Sequence, residues 1–94
     1  MPVIHTHVSV PTTPEQREAL KSAYGKAITA VPGKSEGWLM CPFEDNMPIY
    51  FAGDDSKPAA YVEVNVFGSS VPGSAWEKLT RQIMAALEQE LGIP

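Results

Sequence analysis

The chain has 94 residues, 44% hydrophobic and 19% charged, a composition that supports one small folded domain and argues against a disordered chain. Seven basic against eleven acidic residues leave a net charge of −4 with no basic stripe, which argues against nucleic acid and anionic membrane as partners. The apolar runs are too short to span a bilayer and no signal peptide precedes the first strand, so the expected location is cytoplasmic, or secreted without a signal peptide.

Residues 3–10 alternate strictly, with Ile4, Thr6, Val8 and Val10 on one face and Val3, His5, His7 and Ser9 on the other, the pattern of a half-buried strand. A helix over residues 14–31 follows. Thr13 is its N-cap, Pro14 its first residue, and Gln16 completes a capping box. Leu20, Ala23, Tyr24, Ala27, Ile28 and Val31 form its apolar stripe, and Pro32-Gly33 stop it. Gly25 weakens the helix slightly and is read as allowing close packing on the sheet. Two short strands are expected at 38–43 and 49–52, around the acidic turn Glu44-Asp45-Asn46. GDDSKP at 53–58 is a loop by its turn chemistry. Residues 60–67 alternate again, with Val62, Val64 and Val66 opposite Tyr61, Glu63, Asn65 and Phe67. A second capping box, Ser74 with Glu77, opens a helix that Gly92 closes.

These elements form a single domain over residues 1–94, in the order strand, helix, three strands, helix. A parallel partner strand is expected after the second helix, so the 94 residues read as C-terminally incomplete. Two amphipathic helices cover only the aliphatic face of the sheet. The other face, with its Tyr, Phe, His and Asn, must meet water or another subunit, and oligomerisation is the inference.

Several candidate chemistries fall away. GKS at 33–35 resembles the end of a phosphate-binding loop, but Ile28 stands where that loop needs glycine and the segment follows a helix. No serine lies in a GxSxG elbow. The one cysteine, Cys41, excludes an internal disulfide, a CxxC redox pair and a cysteine zinc site, and fits a small buried hydrophobe. Trp38 and Trp76 read as core or pocket-wall residues. Glu44, Asp45, Asp54 and Asp55 read as solvated turn carboxylates, and Arg17 and Arg81 as solvated helix residues. His5 and His7 share a face at a spacing that suits one metal. No third ligand is evident, exposed polar residues are the simpler reading, and no metal ligand is assigned.

Pro2 and Lys34 remain. Pro2 is explained blandly as a strand starter, since it lacks an N–H to donate. If Met1 is removed, however, its nitrogen is a free secondary amine, and an amine titrating near neutrality is an efficient general base. The reference α-amino value is roughly 7.7–8.0, and both burial and a nearby ammonium lower it. Lys34 could supply that ammonium and hold an anionic substrate group; a solvated loop lysine is the simpler reading from pattern alone.

The segments MPVIHTHVSVP, AVPGKSEGW, MPIYFAGDDSKPAAYVEVNVFG and LEQELGIP resemble, in order and spacing, the macrophage migration inhibitory factor family of the tautomerase superfamily. The resemblance implies an α+β fold of β-α-β repeats, a mixed four-stranded sheet with two helices on one face, assembling as a homotrimer. It implies a keto–enol tautomerase for phenylpyruvate-like aryl keto acids, working without a cofactor. Pro2 matches the proton-shuttling N-terminal proline and Lys34 the lysine that binds the substrate carboxylate or enolic oxygen. The backbone amide of Phe67 matches a substrate-holding donor, and Trp38 falls at an aromatic wall. The alternative is a cytokine-like module that binds a protein receptor with little catalysis. Members carry a further strand after this helix, with a Tyr and an Asn that complete a neighbouring pocket, and it is not within these 94 residues. The CxxC of some members is absent, and Asn65 stands where some place a pocket histidine.

Overall fold

The computed structural model describes residues 2–66 and 71–93. Along the chain run β1 (Val3–Val8), α1 (Pro14–Ala27), β2 (Phe43–Glu44), β3 (Ala60–Asn65) and α2 (Gly73–Leu91). The sheet order is β2-β1-β3, with β1 parallel to β2 and antiparallel to β3. The expected α+β class, a mixed sheet with two helices, is therefore what the chain adopts.

The period-2 pattern of β1 puts Ile4, Thr6 and Val8 wholly out of water. With Leu20, Tyr24 and Ile28 of the first helical segment and Leu79, Ile83 and Leu87 of α2, Ile4 forms one contiguous core layer. Each fully buried large apolar side chain contributes about 1.5–3 kcal/mol. The polar atoms within this layer satisfy each other: Thr6 Oγ1 and Tyr24 Oη lie 2.8 Å apart. β1 stops at Val8 rather than continuing to residue 10. There Ser9 Oγ accepts the Ala59 N–H at 2.9 Å, so a side chain takes the place of a backbone acceptor.

The capping box of α1 forms as expected. Gln16 N–H donates to Thr13 Oγ1 at 3.1 Å, and Thr13 N–H donates to Gln16 Oε1 at 2.9 Å. Past Ala27 the chain tightens into a 3₁₀ turn at Ile28–Ala30, so the helix expected over 14–31 is α for most of its length and 3₁₀ at its end. Gly25 is buried, but a Cβ there would run into the Glu36 side chain, so the close approach is to a loop rather than to the sheet.

Three expectations need correction. The strand expected over 38–43 is a 3₁₀ turn at Glu36–Trp38, a bridge between Met40 and Val3, and the short β2. Met40 N–H donates to the Pro2 carbonyl at 3.0 Å, Ile4 N–H to Met40 at 2.9 Å and Thr6 N–H to Pro42 at 3.0 Å. The bond that residue 42 would return to Ile4 is missing because a proline has no N–H, and the ladder breaks there. Residues 49–52 do not form a strand and add none to the sheet, so the fourth strand of the expected sheet is not among the described residues. Ala52 (φ 53°) and Gly53 (φ 80°) make a two-residue turn with reciprocal Phe51–Asp54 bonds of 2.9 and 3.0 Å. Finally, α2 begins at Gly73, and Ser74 does not cap it. The Pro72 carbonyl instead accepts from Ala75 and Trp76 at 3.0 and 3.2 Å. Its other end is as expected: Gly92 is left-handed (φ 69°), and its N–H donates to Glu88 at 3.0 Å.

The outer edge of β3 has no strand partner among the described residues. A groove of about 860 Å³ runs between it and α2, with Val62, Val64, Ile83, Leu87 and Ile93 on its walls.

Candidate active site

Pro2 stands immediately before β1 and is buried. Its carbonyl accepts the Met40 N–H at 3.0 Å, which ties the start of the chain to the segment that follows Trp38. The antiparallel register pairs Val3 with Asn65, so the end of β3 lies beside the same end of β1.

VPGK forms a turn whose parts each have a reason. Lys34 N–H donates to the Val31 carbonyl at 3.1 Å, Pro32 takes the second position, and Gly33 adopts φ 79° at the third. These are the residue preferences of a type II turn, which only a glycine or asparagine accommodates at its third position without strain. The turn reverses the chain after the buried Val31 and leaves Lys34 half-exposed. From there Ser35 leads into the 3₁₀ turn at Glu36–Trp38, closed by a Leu39 N–H bond to Glu36 of 3.1 Å.

Trp38 is 67% exposed. It borders the Pro2 end of the sheet through its chain neighbour but one, Met40, whose side chain is also exposed. The structure therefore connects Pro2 with the 34–40 loop through the backbone and with the end of β3 through the sheet. It does not enclose them: the groove beside β3 and a shallow groove of about 350 Å³ on α2, walled by Trp76, Arg81 and Met84, contain neither Pro2, Lys34 nor Trp38. Phe67, the fourth expected site residue, lies outside the described residues.

Cys41 sits on the strand-like segment next to this loop and is half-buried rather than buried. Burial and then the Glu36 carboxylate push its thiol above the ordinary value, against a smaller opposing pull from Lys21. That environment suits an inert thiol. Tyr24 is likewise pushed up, chiefly by burial, while the hydrogen bond with Thr6 pulls the other way.

Two groupings lie beyond what the residue pattern showed. Asp45, expected as a solvated turn residue, accepts from the Thr12 N–H and hydroxyl at 2.9 Å each, and Arg17 Nη1 lies 3.6 Å from it. Arg17 also donates to the Thr12 carbonyl at 2.8 Å, so it is engaged rather than solvated. Glu44 bonds His5 across the sheet, Nε2 to Oε1 at 3.0 Å. Nothing in the spacing of 39 positions signals that pair; it appears only once the parallel register of β1 and β2 is known.

Comparison with solved structures gives matches over nearly the whole of this chain. Leishmania major MIF2 is 39% identical with a TM-score of 0.90, covering 100% of this chain and 79% of that one. The macrophage migration inhibitory factor of Toxoplasma gondii is 27% identical with a TM-score of 0.86, covering 98% and 79%. The macrophage migration inhibitory factor homologue of Prochlorococcus marinus is 29% identical with a TM-score of 0.83, covering 98% and 78%. No family model and no curated protein sequence matches the chain.

Proposed function

Because the chain belongs to the macrophage migration inhibitory factor family of the tautomerase superfamily, we propose that it is a keto–enol tautomerase for phenylpyruvate-like aryl keto acids, with Pro2 as its general acid–base. The observation that carries this proposal is the place of Pro2: a buried ring at the start of β1, its carbonyl bonded to Met40 in the segment that follows Lys34 and Trp38. Met1 precedes Pro2 in the sequence, so the nitrogen is a tertiary amide until Met1 is removed. Once free, a secondary amine at a buried position would have its ammonium form disfavoured, which suits it to act as a base.

In the proposed reaction the Pro2 nitrogen accepts the enol O–H proton, leaving an enolate. Its ammonium then delivers that proton to the adjacent carbon as the C=C π pair forms the C–H bond and the oxygen closes to C=O. The reverse direction uses the same steps. Lys34 holds the substrate carboxylate by charge, Trp38 packs on the aryl group, and the Phe67 amide donates to the substrate oxygen. Proton transfer by a positioned group contributes roughly 10²–10⁴-fold. The exposed Tyr61 and Met40, on or beside the sheet face away from the helices, support assembly of copies through that face, a homotrimer in this proposal.

Kinetics of phenylpyruvate ketonisation with the processed chain test the assignment. Lys34→Ala should raise KM more than it lowers kcat, and Trp38→Ala should behave likewise. Negligible wild-type turnover, with retained binding to a protein partner, would favour the cytokine-like alternative.

A further inference from the structure

On the sheet face turned away from the helices, β1 carries His5 and His7 two residues apart, and β2 carries Glu44 directly in register with His7. One ligand atom from each of the three lies within 4.8 Å of the others. We propose that His5, His7 and Glu44 form a binding site for a divalent transition-metal cation such as Zn²⁺.

The protonation pattern of His7 is the first support. Its Nε2 lies 3.0 Å from Glu63 Oε1, and an ionised carboxylate only accepts, so Nε2 carries the proton. In the neutral ring Nδ1 then keeps its lone pair. Nδ1 is buried with no hydrogen-bond partner, on a side chain only 9% exposed. It faces Glu44 Oε2 at 3.6 Å, so two acceptors confront each other across a gap too long for a hydrogen bond. A cation between them satisfies both. Metal bonds of about 2.0–2.2 Å at a tetrahedral angle set two ligand atoms about 3.4 Å apart, close to the observed gap.

The second support is that the rings are already held. His7 is stacked on Tyr61 with centroids 5.3 Å apart, and His5 lies against His7 at 4.0 Å. Glu63, which sits opposite His5 on β3 and reaches across to His7, fixes the tautomer that leaves the Nδ1 lone pair free, the usual arrangement behind a metal-binding imidazole. Metal binding replaces the His5–Glu44 hydrogen bond with a bond from the Nε2 lone pair, the His5 proton moving to Nδ1. Two imidazole nitrogens, one carboxylate oxygen and an open fourth position make a donor set suited to Zn²⁺.

The test is calorimetric titration of ZnCl₂ into the full chain, stripped beforehand with a chelator. The expected result is saturable binding of one Zn²⁺ per chain, reversed by the chelator. Glu63→Gln should weaken it about 10–100-fold by loosening His7, and His5→Gln or Glu44→Gln should weaken it more. These three positions are at least partly exposed, so circular dichroism can verify that each variant is folded, and the buried His7 need not be replaced. Nitrogen-15 spectra of the imidazoles supply a separate readout. Zn²⁺ should shift His7 Nδ1 and His5 Nε2 while His7 Nε2 keeps its proton. The absence of saturable binding overturns the site, as does binding that persists unchanged in both His5→Gln and Glu44→Gln.

Discussion

Replacing Tyr24 by Phe deletes one oxygen from the centre of the core and isolates what it tests. Both members of the Thr6–Tyr24 pair are 0% exposed, and their oxygens are 2.8 Å apart, so no water can take over the lost bond without rearrangement. Leaving the buried Thr6 hydroxyl without this partner costs about 1–3 kcal/mol. For a chain of this size each kcal/mol lowers Tm by roughly 4–8 °C. The double variant Thr6→Val/Tyr24→Phe removes both polar atoms while keeping shape, and should recover most of that loss. Urea unfolding at pH 7 measures all four members of the cycle. Tyr24 also makes stability pH-dependent. Its folded-state value is raised above the ordinary 10.0, mainly by burial. As pH rises through 10.0 the unfolded chain releases this proton while the folded chain holds it, so stability falls until the folded value is passed. Tyr24→Phe should unfold less steeply over that alkaline window. A single variant as stable as wild type, or singles whose losses simply add, would refute the account of the pair.

Asp45→Ala should cost about 1–3 kcal/mol, because it strips charge-assisted bonds from Thr12 and leaves Arg17 without its carboxylate; an unchanged denaturation midpoint would return Asp45 to the role of a solvated turn residue. Cys41 should alkylate with iodoacetamide at pH 7 more slowly than an unstructured thiol, since burial and Glu36 hold it protonated, and Glu36→Gln should speed the reaction. Gly33→Ala should destabilise the chain by about 1 kcal/mol through its φ of 79° and raise KM by displacing Lys34. An unchanged KM would separate the turn from substrate binding.

Where local chemistry decides structure, the residues announced it. The Thr13–Gln16 capping box, the VPGK turn, the Gly92 stop and the alternation of β1 and β3 are short-range devices, and each appears where its residues require it. The departures arise where two local signals compete. Residues 38–43 have strand-like side chains, but Pro42 removes a ladder donor, and the 49–52 segment yields to the turn at Ala52-Gly53. At α2, Ser74 and Glu77 match a capping box, yet Pro72 permits the helix to begin one residue before Ser74. The Asp45–Thr12–Arg17 cluster and the contact of Glu44 with His5 and His7 depend on strand register, which no spacing along the chain encodes. For the proposed active site, Pro2 and Lys34 stood out by chemistry as an amine base and the ammonium beside it, but the pattern alone favoured a solvated lysine, and the family likeness tipped the reading toward one reaction.

The central claim is that a free Pro2 amine moves the proton, and blocking that amine with the protein's own first residue tests it most directly. The same chain is prepared with Met1 removed and with Met1 retained, each verified by intact mass, and phenylpyruvate enol ketonisation is followed for both. The account predicts turnover by the processed chain and a loss of roughly 10²–10⁴-fold when Met1 remains. Equal rates for the two forms would contradict it.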